Sequence, residues 1–281
     1  MTSLIHRLVA FAAMLVPANP ALARDAPGQV IPLTRVFGGQ LAFSARIAGS
    51  DQLFLFDTGG GTTVISPALA AKIGCKPWGQ VTGFQMRGQR LDLKRCDDVG
   101  IQVGKQRLTS ATAGVFDILA GAPKDAPPIV GSIALDMFIG KAVTLDVGHK
   151  QLTIETPASL ARRIAAARPL LARFERDVQG LAREALVAVD TRQGRIWLEI
   201  DCGSDGSVIV NRADAAALGL DPSNRGSQQF RLKLAGGPEI DAAGHMDDLI
   251  RDGNIGVRVL THWIVTIDEA KERVWISPSG I

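Results

Sequence analysis

Short apolar runs that alternate with polar residues dominate the chain, and a 3.6-residue helical period is rare in it. The segments "RLDLKRCDDVGIQVG" and "QQFRLKLAGG" show this alternation and end in glycine-containing turns. Such a pattern predicts β-strands with tight connections. One good helical stretch, 158–168, ends before Pro169. The pattern therefore predicts a mostly β protein with a single longer helix near its middle.

The same order of elements occurs twice. An apolar strand leads into Asp57-Thr58-Gly59, and a second leads into Asp201-Cys202-Gly203. A capping residue, a short helical segment and a glycine follow each motif. Each copy ends in a predicted β-hairpin, at 143–154 and 265–276. We expect two similar lobes, 24–157 and 169–281, with 158–168 as a linker helix and a pseudo-twofold axis between them.

The N-terminal segment 1–23 has the features of a secretory signal peptide. Arg7 precedes an unbroken apolar run, and Ala21-Leu22-Ala23 forms a small-residue cleavage site. The run is too short to span a membrane as a helix. We expect cleavage after Ala23, no transmembrane segment in the mature chain, and a periplasmic or secreted protein.

Composition narrows the possible partners and cofactors. The net charge of +3 becomes +2 without Arg7, and basic residues do not alternate with aromatic ones, so no nucleic-acid partner is expected. Three single cysteines and scattered histidines do not predict a metal site, and no cofactor is expected. After export, we expect one disulfide, Cys75–Cys96, and a free Cys202.

The paired Asp motifs resemble those of the pepsin and retropepsin aspartic proteases, in particular exported bacterial retropepsin-type members. The resemblance rests on Asp57-Thr58-Gly59 after "FLF", on "IVGSIALDMF" at 129–138, and on Asp201-Cys202-Gly203-Ser204. It implies an all-β fold of two retropepsin-like barrel lobes in one monomeric chain, with Asp57 and Asp201 as catalytic residues. Two adjacent carboxyls share one proton and so supply the base and the acid for amide hydrolysis.

The residues around each Asp are expected to support the loops. Gly59 and Gly203 permit close approach of the two loops. By resemblance, Thr58 hydrogen-bonds into the opposite loop, and Cys202 replaces the partner threonine, which predicts a looser or asymmetric clamp. Ser204 can donate to the outer oxygen of its Asp, whereas Gly60 cannot. The missing donor raises the pKa of Asp57 and predicts a pH optimum of about 5–6.

Two hairpins are candidates for a cover over the substrate. The first, 83–93, turns at Arg87-Gly88 and carries Phe84 and Met86, which favour an extended, partly apolar peptide or protein substrate. The second, 230–240, turns at Gly236-Gly237. The alternative for both is an ordinary surface hairpin. In the second lobe, no two apolar residues precede Gly253, so Asn254-Ile255-Gly256 is considered as a shifted equivalent of Ile129-Val130-Gly131.

Three functions stay open at this point. The first is an aspartic endopeptidase, and the second is an inactive protease-like module that binds peptides in the cell envelope by strand addition. The third is a structural β-domain in which Asp57 is only a turn residue. Pairing of first lobes from two chains is a further possibility that the second copy disfavours.

Overall fold

The computed structural model describes residues 27–176 and 178–281, so the predicted signal peptide lies outside the described residues. The fold is mostly β and consists of two lobes joined by a shared sheet. The strands of the first lobe are β1 Gln29–Pro32, β2 Thr34–Arg35, β3 Leu41–Ile47, β4 Ser50–Phe56, β5 Val64–Ile65, β6 Trp78–Phe84, β7 Arg90–Val103, β8 Gln106–Val115, β9 Ile129–Ile133, β10 Ala142–Asp146 and β11 Gln151–Ile154.

The second lobe continues the same succession of elements. Its strands are β12 Arg168–Leu170, β13 Ala172–Glu175, β14 Glu184–Thr191, β15 Gly194–Ile200, β16 Val208–Asn211, β17 Gln228–Lys233, β18 Glu239–Asp247, β19 Gly253–Ile255, β20 Trp263–Asp268 and β21 Arg273–Pro278. The α-helices are Pro67–Lys72, Pro157–Ile164 and Val257–Leu260. Short 3₁₀ turns are Phe37–Gly39, Leu135–Phe138, Val178–Gly180, Arg212–Asp214 and Ala216–Leu218.

Each lobe is a twisted sheet that curls on itself. In the first lobe the order is β2-β3-β4-β9-β5-β8-β7-β6, and the pair Arg46↔Gln102 joins β3 to β7. This pairing closes a six-stranded barrel. The second lobe has the order β13-β14-β15-β19-β16-β18-β17, and a bridge from Val189 to Leu234 brings its ends together. The predicted all-β, two-lobe fold is confirmed.

The two predicted C-terminal hairpins lie side by side in the six-stranded sheet β1-β11-β10-β20-β21-β12. Strands β10 and β20 pair antiparallel, with Thr144 directly opposite Thr266. The two hydroxyl oxygens are 3.0 Å apart. These threonines occupy corresponding positions in the two hairpins, so the local pseudo-twofold axis passes between them. This sheet fixes how the lobes face each other.

Two helical segments differ from the sequence-based expectation. The linker helix ends at Ile164 instead of Arg168, because Arg168 pairs with Ile276 as the start of β12. Proline disfavours the helical conformation of the residue before it, which agrees with a strand that starts at Arg168. After the second Asp loop, Asn211 caps two 3₁₀ turns where a short helix was expected. Helical segments this short contain few backbone hydrogen bonds, so the contacts at their ends determine whether they form an α-helix or 3₁₀ turns.

Candidate active site

The two Asp loops meet at the interface between the lobes. Asp57 follows β4 and Asp201 follows β15, and in each loop the Asp backbone N–H donates to the end of the neighbouring strand, at Ile133 O (3.0 Å) and Ile255 O (3.1 Å). The two carboxyl groups are partly buried and lie side by side, each against the glycine of the opposite loop. The fold thus brings together the two Asp residues that the sequence singled out.

Glycine is required where each loop passes over the other carboxyl. A Cβ on Gly59 would lie 2.5 Å from Cγ of Asp201, and a Cβ on Gly203 would overlap the Asp57 carboxyl. Each of these glycines also donates its N–H to the Asp of its own loop, at 3.0 and 2.9 Å. The tight double loop therefore leaves no space for a side chain at either position.

A reciprocal clamp between Thr58 and Cys202 joins the loops. Thr58 Oγ1 donates to Ile200 O at 2.6 Å and accepts from the Cys202 N–H at 2.9 Å. In return, Cys202 Sγ donates to Phe56 O at 3.3 Å and accepts from the Thr58 N–H at 3.4 Å. Thiols form longer and weaker hydrogen bonds than hydroxyls. The clamp is complete but asymmetric, as the Cys202 substitution predicted.

The two carboxyls have different hydrogen-bond donors. Asn254 Nδ2 donates to Oδ2 of Asp201 at 2.5 Å, and the N–H groups of Gly203 and Ser204 donate to its Oδ1. The expectation that the Ser204 hydroxyl fills this role is wrong, because Ser204 contributes its backbone N–H and Asn254 holds the outer oxygen. For Asp57, the backbone N–H groups of Gly59 and Gly60 are the stabilising donors.

Because their hydrogen-bond donors differ, the two carboxyls differ in how strongly their ionised forms are stabilised. Burial, and then the neighbouring charge of Asp201, raise the pKa of Asp57 to about 8. Burial also raises the pKa of Asp201, but Asn254, Ser204 and Gly203 oppose that rise. Hydrogen bonds to a carboxylate favour its ionised form. The donors to Asp201 therefore favour its ionised form more than the two donors to Asp57 favour that of Asp57.

The hairpin between β6 and β7 covers the cleft. Its turn spans 85–89, with Gly88 at φ +83° and the Gly88 N–H donating to Gln85 O at 2.7 Å. Phe84 and Met86 line the cleft together with both Asp residues. At the tip, the Ile250 N–H donates to Met86 O at 3.0 Å and Arg87 forms an ion pair with Asp247. The flap therefore contacts the second lobe.

The second candidate flap is not a flap. The turn between β17 and β18 packs away from the cleft, where Ala235 O accepts from the Leu171 N–H and the Ala235 N–H donates to Ala188 O, both at 2.9 Å. Strand β18 runs parallel to β16, as β8 does to β5, so this hairpin corresponds to β7–β8. Within the described residues 178–281, the second lobe has no counterpart of β6.

The shifted register considered for the second lobe is also wrong. Gly253 pairs with Val210 as Gly131 pairs with Ile65, so Gly253 occupies the place of Gly131 without any shift. A Cβ on either glycine would collide with the crossing strand. Close packing therefore requires glycine at this position in both lobes. The two preceding residues are apolar in the first lobe, but in the second lobe they are Arg251 and Asp252.

The predicted disulfide Cys75–Cys96 is present, with a Cα–Cα distance of 6.1 Å, and Cys202 is a buried free cysteine. The disulfide joins the segment after the helix Pro67–Lys72 to the middle of β7. It therefore ties the base of the flap to the body of the first lobe.

Part of the sequence, and the fold as a whole, are similar to those of known proteins. Residues 43–137, which contain the first Asp loop, the flap and β9, match the family model of aspartyl proteases. The resemblance to the aspartic proteases is confirmed. No curated protein matches the chain. Basic 7S globulin from soybean is similar in structure, with a TM-score of 0.58 and 10% sequence identity over 89% of this chain and 95% of that one. That likeness shows a shared pepsin-like fold.

Several polar residues of this cleft were missed from sequence, among them Glu199, Arg251 and Asn254. Alternation along β15 offered a signal for one of them, because Glu199 lies two residues before Asp201 and so faces the same side. Arg251 and Asn254 come from a segment whose pairing only the fold establishes. Among the described residues, no helix has the length and apolar character needed to span a membrane.

Proposed function

We propose that the protein is an aspartic endopeptidase that cleaves extended segments of peptides or proteins. The observation that supports this best is the adjacent pair of carboxyls, Asp57 and Asp201, at the floor of a cleft of about 710 Å³ beneath a flap. Two carboxyls in this arrangement share one proton, which is the requirement for acid and base action at a single water.

The reaction follows from the protonation states. Asn254 and two backbone N–H groups favour an ionised Asp201, which takes a proton from the attacking water. Protonated Asp57 donates its hydrogen bond to the substrate carbonyl as the tetrahedral intermediate forms. Asp201 then gives the proton that it took from the water to the amide nitrogen as the C–N bond breaks, which restores the initial protonation state of the pair. The pair titrates as a unit, so its pH profile carries two apparent pKa values.

A second candidate is a peptide-binding module that does not cleave. Two observations favour it: the flap tip contacts the second lobe, and a thiol replaces one hydroxyl of the clamp. In this case an extended peptide adds as a strand beneath the flap and leaves unchanged. Turnover separates this function from the first.

The decisive experiment is a pH scan from 3.5 to 8 of the mature protein against a diverse peptide library, analysed by mass spectrometry. Asp57→Asn and Asp201→Asn are compared with Asp51→Asn, at an exposed Asp on β4, the strand that leads to Asp57. We expect an optimum near pH 5–6 and a loss of at least about a thousandfold in both dyad variants, as expected for acid–base groups.

Other outcomes would support a different assembly or a different function. A rate maximum below about pH 3.5 would contradict the raised pKa of Asp57. Cleavage lost only with Asp57→Asn would indicate pairing of first lobes from two chains, and a monomeric mass in solution would argue against that pairing. Peptide binding without cleavage at any pH would establish the second candidate.

We also propose export and removal of 1–23, so that the disulfide forms in an oxidising compartment. Intact mass spectrometry of protein expressed with its native N-terminus tests this proposal. A mature chain that starts at Arg24 supports it, and a retained Met1 in the exported fraction contradicts it.

A further inference from the structure

The second-lobe wall of the cleft holds an unusual group of charges beside the dyad. Glu184, Glu199 and Arg251 line the cleft with both Asp residues. Arg251 Nη1 forms an ion pair with Glu184 and lies 3.9 Å from Glu199 Oε1 and 3.8 Å from Glu175 Oε2. Three carboxyl groups thus surround one guanidinium.

Glu199 is the member whose charge is least compensated. Its side chain is only 4% exposed, and the buried Oε1 atom accepts no hydrogen bond from the residues that the structure describes. Burial and the charges of Asp201 and Glu184 raise the pKa of Glu199, whereas Arg251 lowers it. A buried carboxyl without a donor is costly, so a ligand that brings a cationic N–H group to it gains free energy.

The first lobe has apolar residues at the corresponding positions. Leu55 pairs with Ser132 in the first lobe as Glu199 pairs with Asn254 in the second, which makes Leu55 the counterpart of Glu199. Ile129 and Arg251 each lie two residues before the glycine of their lobe, and both Leu55 and Ile129 belong to a buried apolar cluster. The charged groups beside the dyad therefore belong to the second lobe alone at these positions.

We propose that the second-lobe wall selects a basic substrate side chain, lysine or arginine, next to the scissile bond, with Glu199 as the specificity-determining residue. This inference rests on the proposed function, since it assigns a substrate class to the same cleft. An acidic side chain is disfavoured there because Arg251 is already surrounded by carboxyls. It would also face Glu199, Glu184 and the single negative charge of the dyad.

The test uses peptides that differ at one position. On each side of the cleaved bond, lysine is compared with norleucine, which has a similar linear stem without the charge, and with glutamate. At one of these positions we expect kcat/KM to be at least about tenfold higher for lysine, the scale of one buried charge-assisted hydrogen bond. Equal or better cleavage of the norleucine peptides at every position overturns the inference without any variant.

Variants then assign the preference to Glu199. Glu199→Gln keeps the shape and removes the charge, and Glu199→Leu introduces the first-lobe residue. Glu239→Gln, at an exposed residue of β18, is the matched control. We expect the preference for lysine to fall to about twofold or less in Glu199→Gln, and norleucine to be preferred in Glu199→Leu. An unchanged preference in folded Glu199→Gln assigns it to another residue and contradicts the proposal.

A binding experiment separates this inference from the proposed function. The same peptides, labelled with a fluorophore, are titrated into Asp57→Asn with and without Glu199→Gln, and anisotropy is measured. Tighter binding of the lysine peptide that depends on Glu199, with no cleavage by the wild type, keeps the charge selection and rejects the protease. Cleavage without any lysine preference keeps the protease and rejects the charge selection.

Discussion

The two lobes form nearly the same strand pairings but differ in charge at corresponding positions near the dyad. The first lobe has Leu55 and Ile129, which are buried in an apolar cluster, and the second has Glu199 and Arg251, which line the cleft. Glycine occurs at 131 and at 253, because a crossing strand leaves no space for a Cβ. Positions that face a neighbouring backbone are thus constrained in both lobes, whereas the side chains beside the dyad differ and set the chemistry of the cleft.

The two Asp loops likewise share the residues that pack against backbone and differ in a residue that contacts a carboxyl. The glycines and the clamp occur in both loops, but the donor to the outer carboxyl oxygen differs. Asn254 reaches Asp201, and its counterpart Ser132 is buried with an Oγ that forms no hydrogen bond among the described residues. A serine side chain is too short for the same contact. One extended amide therefore breaks the chemical symmetry of a nearly symmetric pair.

The largest expected effect is on the pH dependence of stability. Asp57, with a pKa raised to about 8, Glu269, raised to about 7, and Asp136, raised to about 6, all bind protons more tightly in the folded state. Their contribution is fully present below the unfolded pKa of about 4 and is lost as pH rises through the folded values. We expect the free energy of unfolding to fall by several kcal/mol between pH 4 and 8.

Urea unfolding at a series of pH values measures this loss. Asp57→Asn should flatten the curve more than Asp201→Asn, because the three donors to Asp201 already favour its ionised form. An equal effect of the two variants would show that the protons belong equally to both carboxyls. Stability that rises from pH 4 to 8 would contradict the raised pKa values.

Loss of the clamp between Thr58 and Cys202 should have the next largest effect. Thr58→Ala leaves Ile200 O and the Cys202 N–H without their partner, so we expect a loss of about 3 kcal/mol in the free energy of unfolding. Cys202→Ala removes two longer bonds and should cost about 1–2 kcal/mol. Thermal and urea denaturation measure both. A larger loss from Cys202→Ala would show that packing of the thiol outweighs its hydrogen bonds.

Substitutions at Asn254 and Ser132 test whether the donor to the outer carboxyl oxygen makes the two Asp residues differ. Asn254→Ser removes the donor to Asp201, raises the pKa of that carboxyl, and should shift the acid limb of the pH–kcat/KM profile upward by about one unit. Ser132→Asn is the matched variant in the first lobe, and it should shift the alkaline limb downward if the amide reaches Asp57. Unshifted limbs in folded Asn254→Ser would show that its contact with Asp201 does not tune the pair.

The flap contact should have the smallest effect. The Arg87 side chain is 57% exposed, and exposed ion pairs contribute about 0–1 kcal/mol. Arg87→Ala should therefore change kcat/KM for a peptide substrate by less than about fivefold, mainly through KM. Arg90→Ala, at an exposed residue whose ion pair lies within the flap, is the control. A large fall in kcat from Arg87→Ala alone would indicate that the ion pair to Asp247 holds the flap in its working position.

Alternating patterns and turn residues in the sequence were sufficient for several features. They located the strands, the two Asp loops and the hairpin that bears Phe84 and Met86, and the expected pairing of Cys75 with Cys96, chosen because these are the nearer cysteines, is present. These features depend on neighbours close along the chain or on a motif that occurs twice. The flap prediction was correct for 83–93 because its turn is local, with Gly88 in the left-handed region.

Only the tertiary structure decided which features from the two lobes meet at the cleft. Local pattern made 230–240 an equally good hairpin, but its pairing with β16 places its turn away from the cleft. Asn254, Glu199 and Arg251 approach Asp201 because β19 crosses beside β15, a contact that spans about fifty residues of chain. Long-range strand register sets these distances, and no local preference encodes it. The sequence alone therefore determined the two carboxyls, and the fold determined the groups that tune them.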